Sequence, residues 1–596
     1  MPLISPWDMF TTVPSNDQFI AFRDLPFPLN LYACCSFVDT GQIQRLFSGF
    51  NLKKSAPVYL AKHDDTDLVP LSDTLPAALN AIFVVQDFGK MFHRYQKLRY
   101  SIIELLTEQG RLVDLMHLPT DPRMIASSDF ESFEESLGQW DLIFLQGIID
   151  DIDLLAFFNH ARRLLRPLSG RIVYAVASAN RLYCCDPDVD LPTSTLRLAS
   201  RLGFELVETR DLSETARFSC EYAVELLSKH QGVLMEDFGF TEQQILELSM
   251  LNSQHKDAYL AGKKYFQLFM VQMVRQPPQI PGWVRTHHFV QFSDLFRRAF
   301  DAPLSRQLWD WKYGDGRGQA IGVWEDGVLI AHYGGVTRRV MYFGEAQLAS
   351  QSADVMTLPS SRRSLVRKSA FFLSAATYLE LTTGFGRRHL LGFGFPNERA
   401  RRAPELLGLY SKPVSKMYAL TWSLDLNDWR ILFLQHKELD LSVRSDAALV
   451  DDCWSRMASE TEGFVIGIRD RDWIVHRYVN HPHQKYAIYA VSVLGRSMPF
   501  GVIVIKKHSD DLYELMDIIA KPKRIKWILS ALTGIVNGAN TKFFTWISEP
   551  LRAFFPAHYE TRDLQIGIPS CVWTHGPEPK MLLNRWWLMG GDTDFL

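Results

Sequence analysis

The sequence predicts an α/β protein of several domains: an open, mostly parallel sandwich followed by two smaller mixed α/β layers. Three observations predict it. Strand and helix patterns alternate between residues 141 and 207, a Pro- and Gly-rich break, "RQPPQIPGW", interrupts the chain at Arg275–Trp283, and the residues beyond Phe289 run through one series of patterns twice. With 596 residues and 47% hydrophobic content, the length suits roughly three or four domains.

The N-terminal stretch "MPLISPWDMFTTVPSNDQ" lacks a basic region followed by an apolar core, and no run of about 18 uncharged apolar residues occurs in the chain. Neither secretion nor membrane insertion is expected. The seven cysteines are odd in number and contain no CxxC pair, which suits reduced thiols and a cytoplasmic location. A formal charge of -3 and a pI near 6.6 give no long-range attraction to nucleic acid, so no such partner is expected. The "HPH" run at His481–His483 lacks a third ligand at recognisable spacing, and no metal site is expected.

In residues 1–276, "WDLIFLQGIIDDIDLLAFFNHARRLLRPLSGRIVYAVAS" reads as a buried strand (Leu142–Leu145), an amphipathic helix (Leu154–Leu165), a turn (Pro167–Gly170) and a second strand (Ile172–Val176). Gly203 then stops a helix and Phe204–Val207 makes a further strand. These segments resemble the later half of class I S-adenosylmethionine-dependent methyltransferases, which implies a Rossmann-like sandwich. The resemblance also implies a glycine-rich turn after the first strand, where a backbone without β-carbons closes on the cofactor. Here "IFVVQDFGKMFHRY" offers Gly89 alone, between Phe88 and Lys90, while Asp114 in "RLVDLMHLP" matches the acidic residue that holds the ribose. The expected domain is therefore a degenerate methyltransferase-like one that binds no S-adenosylmethionine. Retained methylation is the alternative.

Residues 283–425 and 426–596 read as two copies of one layer. The first carries "LWDWKY", a hairpin turning at Asp326-Gly327, and "DVMTLPSSRR"; the second carries "VHRY", "YAIYAVSVLGRSMPFGVIVI" and "DIIAKPKRIK". Asp354 matches Asp517 and Pro359 matches Pro522 at one offset, and Tyr313 matches Tyr478 two residues further on. In each, a strand feeds a helix, marked in the first copy by Phe372, Leu373, Ala376 and Leu379 and stopped by Gly384. A strand ("HLLGFGF" or "KFFTWIS") and a second helix follow, with "YALTW" or "SCVWT" as the closing strand. The tail "RWWLMGGDTDFL" carries two tryptophans and is expected to dock.

The order of elements and "NERARRAPELLGLY" resemble the GNAT superfamily of acyl-coenzyme A-dependent N-acyltransferases, with Asn397, Ala400, Leu407, Gly408 and Leu409 at matching spacing. An asparagine N-cap and a glycine stop are also what such a helix needs physically. The resemblance implies that acetyl-CoA or another acyl-CoA lies between two diverging strands and that its acyl group passes to an amine acceptor. It places the diphosphate at the helix start following Leu358, with Thr357, Arg362, Arg363, Ser364, Arg367, Lys368 and Asn397 as binding residues. Leu365 and Arg367 stand where the family has small residues. A solvated basic face is the alternative reading of the arginines.

Pro404 stands where the family tyrosine would be, and Tyr410, just past the helix, is the candidate acid for the leaving thiolate; its alternative role is an aromatic closing the core. The backbone at Met356 and Thr357 is the candidate oxyanion donor and Asp354 the candidate base, although Asp517 repeats it. The second copy has Ser548 in place of Asn397 and is expected to be non-catalytic. A non-catalytic CoA- or carrier-binding assembly protein stays open as the other class of function.

Overall fold

The computed structural model describes residues 279–593 except 362–366, 426 and 537–540. Of the earlier chain it describes 59–61, 68–70, 81–85, 123–126, 134, 137–140, 142–145, 153–178, 194–211, 213, 217, 224, 228, 231–236, 241–263 and 265–278. Gly89 and Asp114 lie outside the described residues. The chain divides into two compact units, Met1–Pro278 and Gln279–Leu596.

In the first unit a short ribbon, β1 (Tyr59–Ala61) with β2 (Leu68–Pro70), precedes a six-stranded sheet. That sheet contains β3 (Ala81–Val85), β4 (Arg123–Ala126), β5 (Leu142–Leu145), β6 (Arg171–Ser178), β7 (Phe204–Asp211) and β8 (Tyr265–Met273), in the order β4-β3-β5-β6-β8-β7. The first four in that order are parallel, and β8 enters antiparallel to both neighbours. Helices α1 (Leu154–Leu164), α2 (Ser194–Arg201), α3 (Gln231–Glu236) and α4 (Glu242–Leu260) fall between the strands in sequence.

Asp153 caps α1 by accepting from the Ala156 N–H at 3.1 Å, and the apolar spacing buries Leu155, Phe158 and Ala161. Phe158 then packs on Tyr174 of β6 and Phe204 of β7, with ring centroids 6.2 and 5.7 Å away. Gly203 ends α2 at φ +95°, and a β-carbon there would stand 2.1 Å from the Arg275 carbonyl oxygen. Only glycine meets both demands.

The second unit begins with β9 (Gln279–Trp283), within the Pro- and Gly-rich break seen in the sequence. Proline is tolerated there because β9 is an edge strand, where a missing N–H breaks no ladder. Helices α5 (Phe289–Phe300) and α6 (Arg306–Tyr313) lead to β10 (Gly318–Glu325), β11 (Val328–Tyr342) and β12 (Glu345–Thr357). Asp326 and Gly327, both at positive φ, make the tight turn between β10 and β11. Next come α7 (Ala370–Thr382), β13 (Leu391–Phe393), α8 (Glu398–Leu406) and β14 (Ser415–Ser423). α7 is buried on nearly every side rather than along one stripe.

The later chain supplies β15 (Leu434–Glu438), α9 (Arg444–Ala458), β16 (Val465–Gly467) and α10 (Arg471–Ile474), which runs into a π turn at Val475–Val479. It continues with β17 (Ala487–Val493), β18 (Gly501–Lys507), β19 (Leu512–Ala520), α11 (Ile525–Ile535), β20 (Lys542–Ser548), β21 (Glu560–Ile568), α12 (Pro579–Leu582) and β22 (Trp586–Trp587). One sheet runs β13-β12-β11-β10-β9, with β16 paired to the end of β11 and β22 to β16; the other runs β15-β17-β18-β19-β20-β14-β21.

The halves therefore exchange strands across position 425: β14 sits in the later sheet, while β16 and β22 extend the earlier one. The closing strand of the later half is Glu560–Ile568, and "SCVWT" contributes only a bridge from Cys571 to Tyr410. Pro569 ends the strand before it can reach those residues.

The repeat has a physical counterpart. Tyr313 donates its hydroxyl hydrogen to Asp354 at 2.8 Å, and Tyr478 donates to Asp517 at 3.1 Å. β11 and β12 slip register between His332 and Gly334, and β18 and β19 slip between Val504 and Ile505, so each carboxylate stands beside a bulge.

The C-terminal tail docks as expected. Trp586 and Trp587 are buried, and Asp592 accepts from Arg338 at 2.6 Å and also from Arg469. Arg469 reaches on to Asp517 at 2.7 Å. Burial raises the cost of an Asp592 carboxylate, yet Arg469 and Arg338 outweigh it and hold the group below the ordinary carboxylate range.

Asp592→Ala leaves two buried guanidiniums short of a counterion and is expected to destabilise the second unit by about 3–5 kcal/mol. Urea unfolding of the full chain, followed by tryptophan fluorescence, measures this; a loss below about 1 kcal/mol is what solvated arginines would give.

Candidate active site

β12 and β13 run parallel and paired over three residues only, Ala349–Gln351 against Leu391–Phe393. β12 then continues to Thr357, whereas the other chain turns through Gly394–Pro396 into α8. Asn397 fixes that turn by accepting the Ala400 N–H at 2.9 Å, and Gly408, at φ +74°, ends the helix. The strands thus part where the sequence placed a cleft.

Small residues pave the sheet at the parting. The Tyr410 hydroxyl is hydrogen-bonded to that of Tyr333 and lies 3.5 Å from Ser352 Oγ, which is 2.8 Å from the Tyr333 hydroxyl. A β-carbon at Gly392 would stand 3.6 Å from the Tyr410 oxygen. Beside this trio, Tyr378 of α7 shares a hydrogen with Ser350 at 2.8 Å, and a β-carbon at Gly335 would collide with the Tyr378 hydroxyl at 2.0 Å. Burial first, then Tyr333 and Cys571 nearby, raises the Tyr410 hydroxyl well above its usual pKa. It stays protonated and can donate.

Of the residues the sequence singled out, Tyr410, Thr357 and Asn397 lie at the parting; Tyr333 and Ser352 join Tyr410 there. Their signal was the alternation of serine and glycine in "SQS" and "GFG", which puts small polar groups on one face at a period of two. Asp354 is held differently. Its oxygens accept from Lys312 at 2.9 Å and Tyr313, and its residue sits at φ +48°. Burial opposes the charge, but Lys312 prevails and keeps the carboxyl below its ordinary range. A carboxylate with both oxygens engaged suits an anchor of the bulge better than a base.

Met356 and Thr357 divide by alternation. Leu358 N–H donates to the Ile330 carbonyl at 2.8 Å, so Met356 also turns its N–H to β11, and Thr357 faces the edge from which β13 has departed. Met356 therefore gives no oxyanion donor on that edge. Beyond β12, Arg362, Arg363 and Ser364 lie outside the described residues. Arg367 stacks over Trp573 at 5.5 Å, and Lys368 is exposed. Ser369 caps α7 by accepting from Phe372 N–H at 3.3 Å.

The equivalent parting in the later half is filled. β19 and β20 pair over Leu512–Glu514 and Lys542–Phe544 and then separate, and the C-terminal tail runs against β20 there. Ile547 bridges to Met589, Ser548 N–H donates to the Leu588 carbonyl at 2.9 Å, and Ser548 Oγ donates to the Trp586 carbonyl at 2.6 Å. A β-carbon on Gly591 would overlap the Tyr478 hydroxyl at 1.9 Å. Ser548 serves the tail where Asn397 serves a helix.

On the other face of β11, His332 packs against Phe292 of α5 and Tyr313 of α6, while Tyr333 packs against Tyr378 of α7. Burial lowers the His332 imidazole to about 4, against a smaller opposing pull from Asp354. His389, held between Thr337 and the Thr382 carbonyl, is lowered to about 4 by burial and then by Arg388. Among the described residues no group of three or more His, Cys, Asp or Glu side chains could hold a metal, and no helix is long and apolar enough to cross a membrane.

No protein-family model matches the sequence, and none of the curated proteins compared with it does. Among solved structures, a conserved Enterococcus faecalis V583 protein of unknown function, described as a "Probable N-Acyltransferase", is 12% identical; the likeness covers 52% of this chain and 74% of that one at a TM-score of 0.39. A GCN5-related N-acetyltransferase from Kribbella flavida is 14% identical over 49% of this chain and 71% of its own, at 0.37. A Galdieria sulphuraria protein described as a "putative sarcosine dimethylglycine methyltransferase" is 10% identical over 33% of this chain and 80% of its own, at 0.24. At these values the chain's own geometry must carry any functional reading.

Both imidazoles have folded pKa values below the unfolded value of about 6.5, so the unfolded chain binds protons first as pH falls. Their contribution is intact above about pH 6.5 and is lost as pH falls towards 4, by roughly 2–4 kcal/mol for each group. Urea midpoints at pH 7, 5.5 and 4.5 measure the loss, and a flat series would contradict neutral burial of these rings.

Proposed function

We propose that the second unit is an N-acyltransferase moving an acetyl or related acyl group from acyl-CoA to an amine, with the β12–β13 parting as its site. The observation that carries this reading is the parting itself: an edge of β12 left by its neighbour after three residues, with buried hydroxyls at its root. An extended pantetheine arm can add to such an edge as a strand does. The filled parting in the later half supports the mode, since there an extended segment of the chain hydrogen-bonds to the parted strand.

The diphosphate would meet the start of α7, where Arg367 and Lys368 supply charge; the parts assigned to Arg362, Arg363 and Ser364 rest on the sequence alone. The neutral amine nitrogen attacks the thioester carbonyl carbon, the C–N bond forms and the C–S bond breaks. The nitrogen gives up one proton to solvent, Tyr410 gives its own proton to the leaving thiolate, and the phenolate left behind regains one from solvent through Tyr333. The Thr357 N–H is the proposed oxyanion donor. The reading places the working site in the half that retains the Asn397-capped helix, and gives the later half a structural role.

For the first unit we propose a degenerate methyltransferase-like sandwich. Four parallel strands followed by an antiparallel pair, with the last strand inserted beside β6, support it. The sequence near Gly89 argues against a bound nucleoside.

Calorimetry on the full chain is expected to give heat with acetyl-CoA and none with S-adenosylmethionine. Release of free thiol with a panel of amines should fall about 100-fold in kcat for Tyr410→Phe, with KM changed less than about threefold. An unchanged kcat would remove Tyr410 from the chemistry. Binding without thiol release for any amine would instead mark a CoA-binding protein.

A further inference from the structure

The segment "SCVWTHG", residues 570–576, follows β21 and belongs to the later half, yet it packs on the proposed site of the earlier half. Its first three residues run antiparallel to the chain around Tyr410. Val572 N–H donates to the Leu409 carbonyl at 3.1 Å, Ser411 N–H donates to the Ser570 carbonyl at 2.9 Å, and Ser570 N–H donates to Ser411 Oγ at 3.1 Å. Tyr410 and Cys571 are directly opposed in this pairing. Tyr410 lies between α8 and β14, in a stretch that belongs to neither, and these three hydrogen bonds flank it on both sides.

The next residues turn to α7. The Trp573 indole N–H donates to Glu380 Oε1 at 2.7 Å, and Glu380 is 3% exposed. The same indole meets Phe372 edge to face at 5.5 Å and carries the Arg367 guanidinium at 5.5 Å from its centroid. Beyond it, Phe385 N–H donates to the His575 carbonyl at 2.7 Å, and a β-carbon at Gly384 would stand 2.7 Å from that oxygen. The segment is thus tied at one end to the stretch that carries Tyr410, and at the other to α7 and the turn after it. α7 also reaches the hydroxyl cluster directly, because Tyr378 packs on Tyr333 with ring centroids 5.2 Å apart. A carboxylate buried in a helix is costly unless its oxygens are engaged, and a donor from a distant part of the chain engages it in one arrangement only.

We propose that Trp573 is a positioning residue for the acyl transfer: by donating to Glu380 it fixes residues 570–573 against α7, and through their pairing it sets Tyr410 at the parting. The inference rests on the acyltransferase reading, in which Tyr410 stands within hydrogen-bond reach of the leaving sulfur. A displacement of about 1 Å at such a group costs up to about 100-fold in rate. Trp573 acts through Tyr410 and takes no part in the bond changes. The structural role of the later half becomes specific in this way, since that half supplies the segment that holds the acid.

The test is a double-mutant cycle on the full chain, reading thiol release from acetyl-CoA with the fastest amine of the panel. Trp573→Phe keeps a ring against Phe372 and Arg367 but loses the N–H. Glu380→Leu removes the acceptor and leaves an apolar side chain in the buried place. Each is expected to lower kcat about tenfold, with the KM for acetyl-CoA changed less than about twofold. In a chain that already carries Tyr410→Phe, each should cost less than about twofold further, because the group being positioned is gone. Either variant suffices, so the test stands if one of them does not fold, and urea midpoints identify the folded one. An unchanged kcat in a folded variant, or an equal loss with and without Tyr410→Phe, would overturn the inference and leave the acyl-transfer reading in place. If Tyr410→Phe alone leaves kcat unchanged, the role of Tyr410 fails and the positioning role fails with it.

Discussion

The second unit depends on one carboxylate. Asp592 stands between Arg338 of β11 and Arg469, which follows β16, and Arg469 continues to Asp517 of β19. All four side chains are at most 2% exposed, two positive and two negative, so the cluster is neutral as a whole but intolerant of any single loss. Its surroundings complete the hydrogen bonding: Arg469 donates to the Gly467 carbonyl at 2.7 Å, Met589 N–H donates to Asp592 at 2.9 Å, and Arg338 stacks on Trp473. Gln351 of β12 donates to the Asp592 carbonyl at 2.9 Å. Such a cluster adds little net stability over well-packed apolar residues. What it does impose is alignment, because the strand ends of both sheets meet their counter-charges in one arrangement only.

That alignment also brings the tail to the later parting. The tail that delivers Asp592 passes first along β20, so the cluster and the filling of the later parting are a single event. Arg477 secures the same segment by donating to the Gly591 and Thr593 carbonyls. The earlier parting lies in the same unit and begins from the same three-residue parallel pairing. Its floor of glycine and serine carries hydroxyls, where the later one carries tail backbone. The two halves thus part at equivalent places, and in the later one the segment around Trp586–Met589 lies along the parted strand.

Much of this was legible in the sequence. Hydrophobic runs bounded by turn residues located β5, β6 and α1 to within a residue or two, because burial and turn chemistry there act locally. The Asn397 cap and the Gly408 stop were readable for the same reason. Strand exchange was not, since nothing within "YALTW" says which of two sheets it will join, and pairing across more than 100 residues depends on the assembled edges. Asp354 and Asp517 were visible as a repeat, and both accept a tyrosine hydrogen beside a bulge. Arg338, Arg469 and Asp592 were invisible as a group. They are separated in sequence and meet only after both sheets have formed.

The two bulges show why residues that resemble catalytic machinery need not be it. Asp, Lys, Tyr and His converge beside the earlier parting, a set that in sequence reads as acid and base. In the structure Lys312 and Tyr313 hold the Asp354 carboxylate, and His332 holds its carbonyl. These three contacts offset the cost of a non-glycine residue at φ +48°, of order 1–3 kcal/mol. Asp517 has the tyrosine contact and the bulge but, unlike Asp354, is not at positive φ. Strain is therefore kept only in the copy whose parting lacks the tail. A left-handed residue in mid-strand displaces the alternation of N–H groups by one, and that displacement turns Thr357 to the vacated edge. The polar cluster shapes the β12 backbone, and under the proposed acyl transfer the groups that would meet a substrate there are Tyr410 and its two hydroxyl partners.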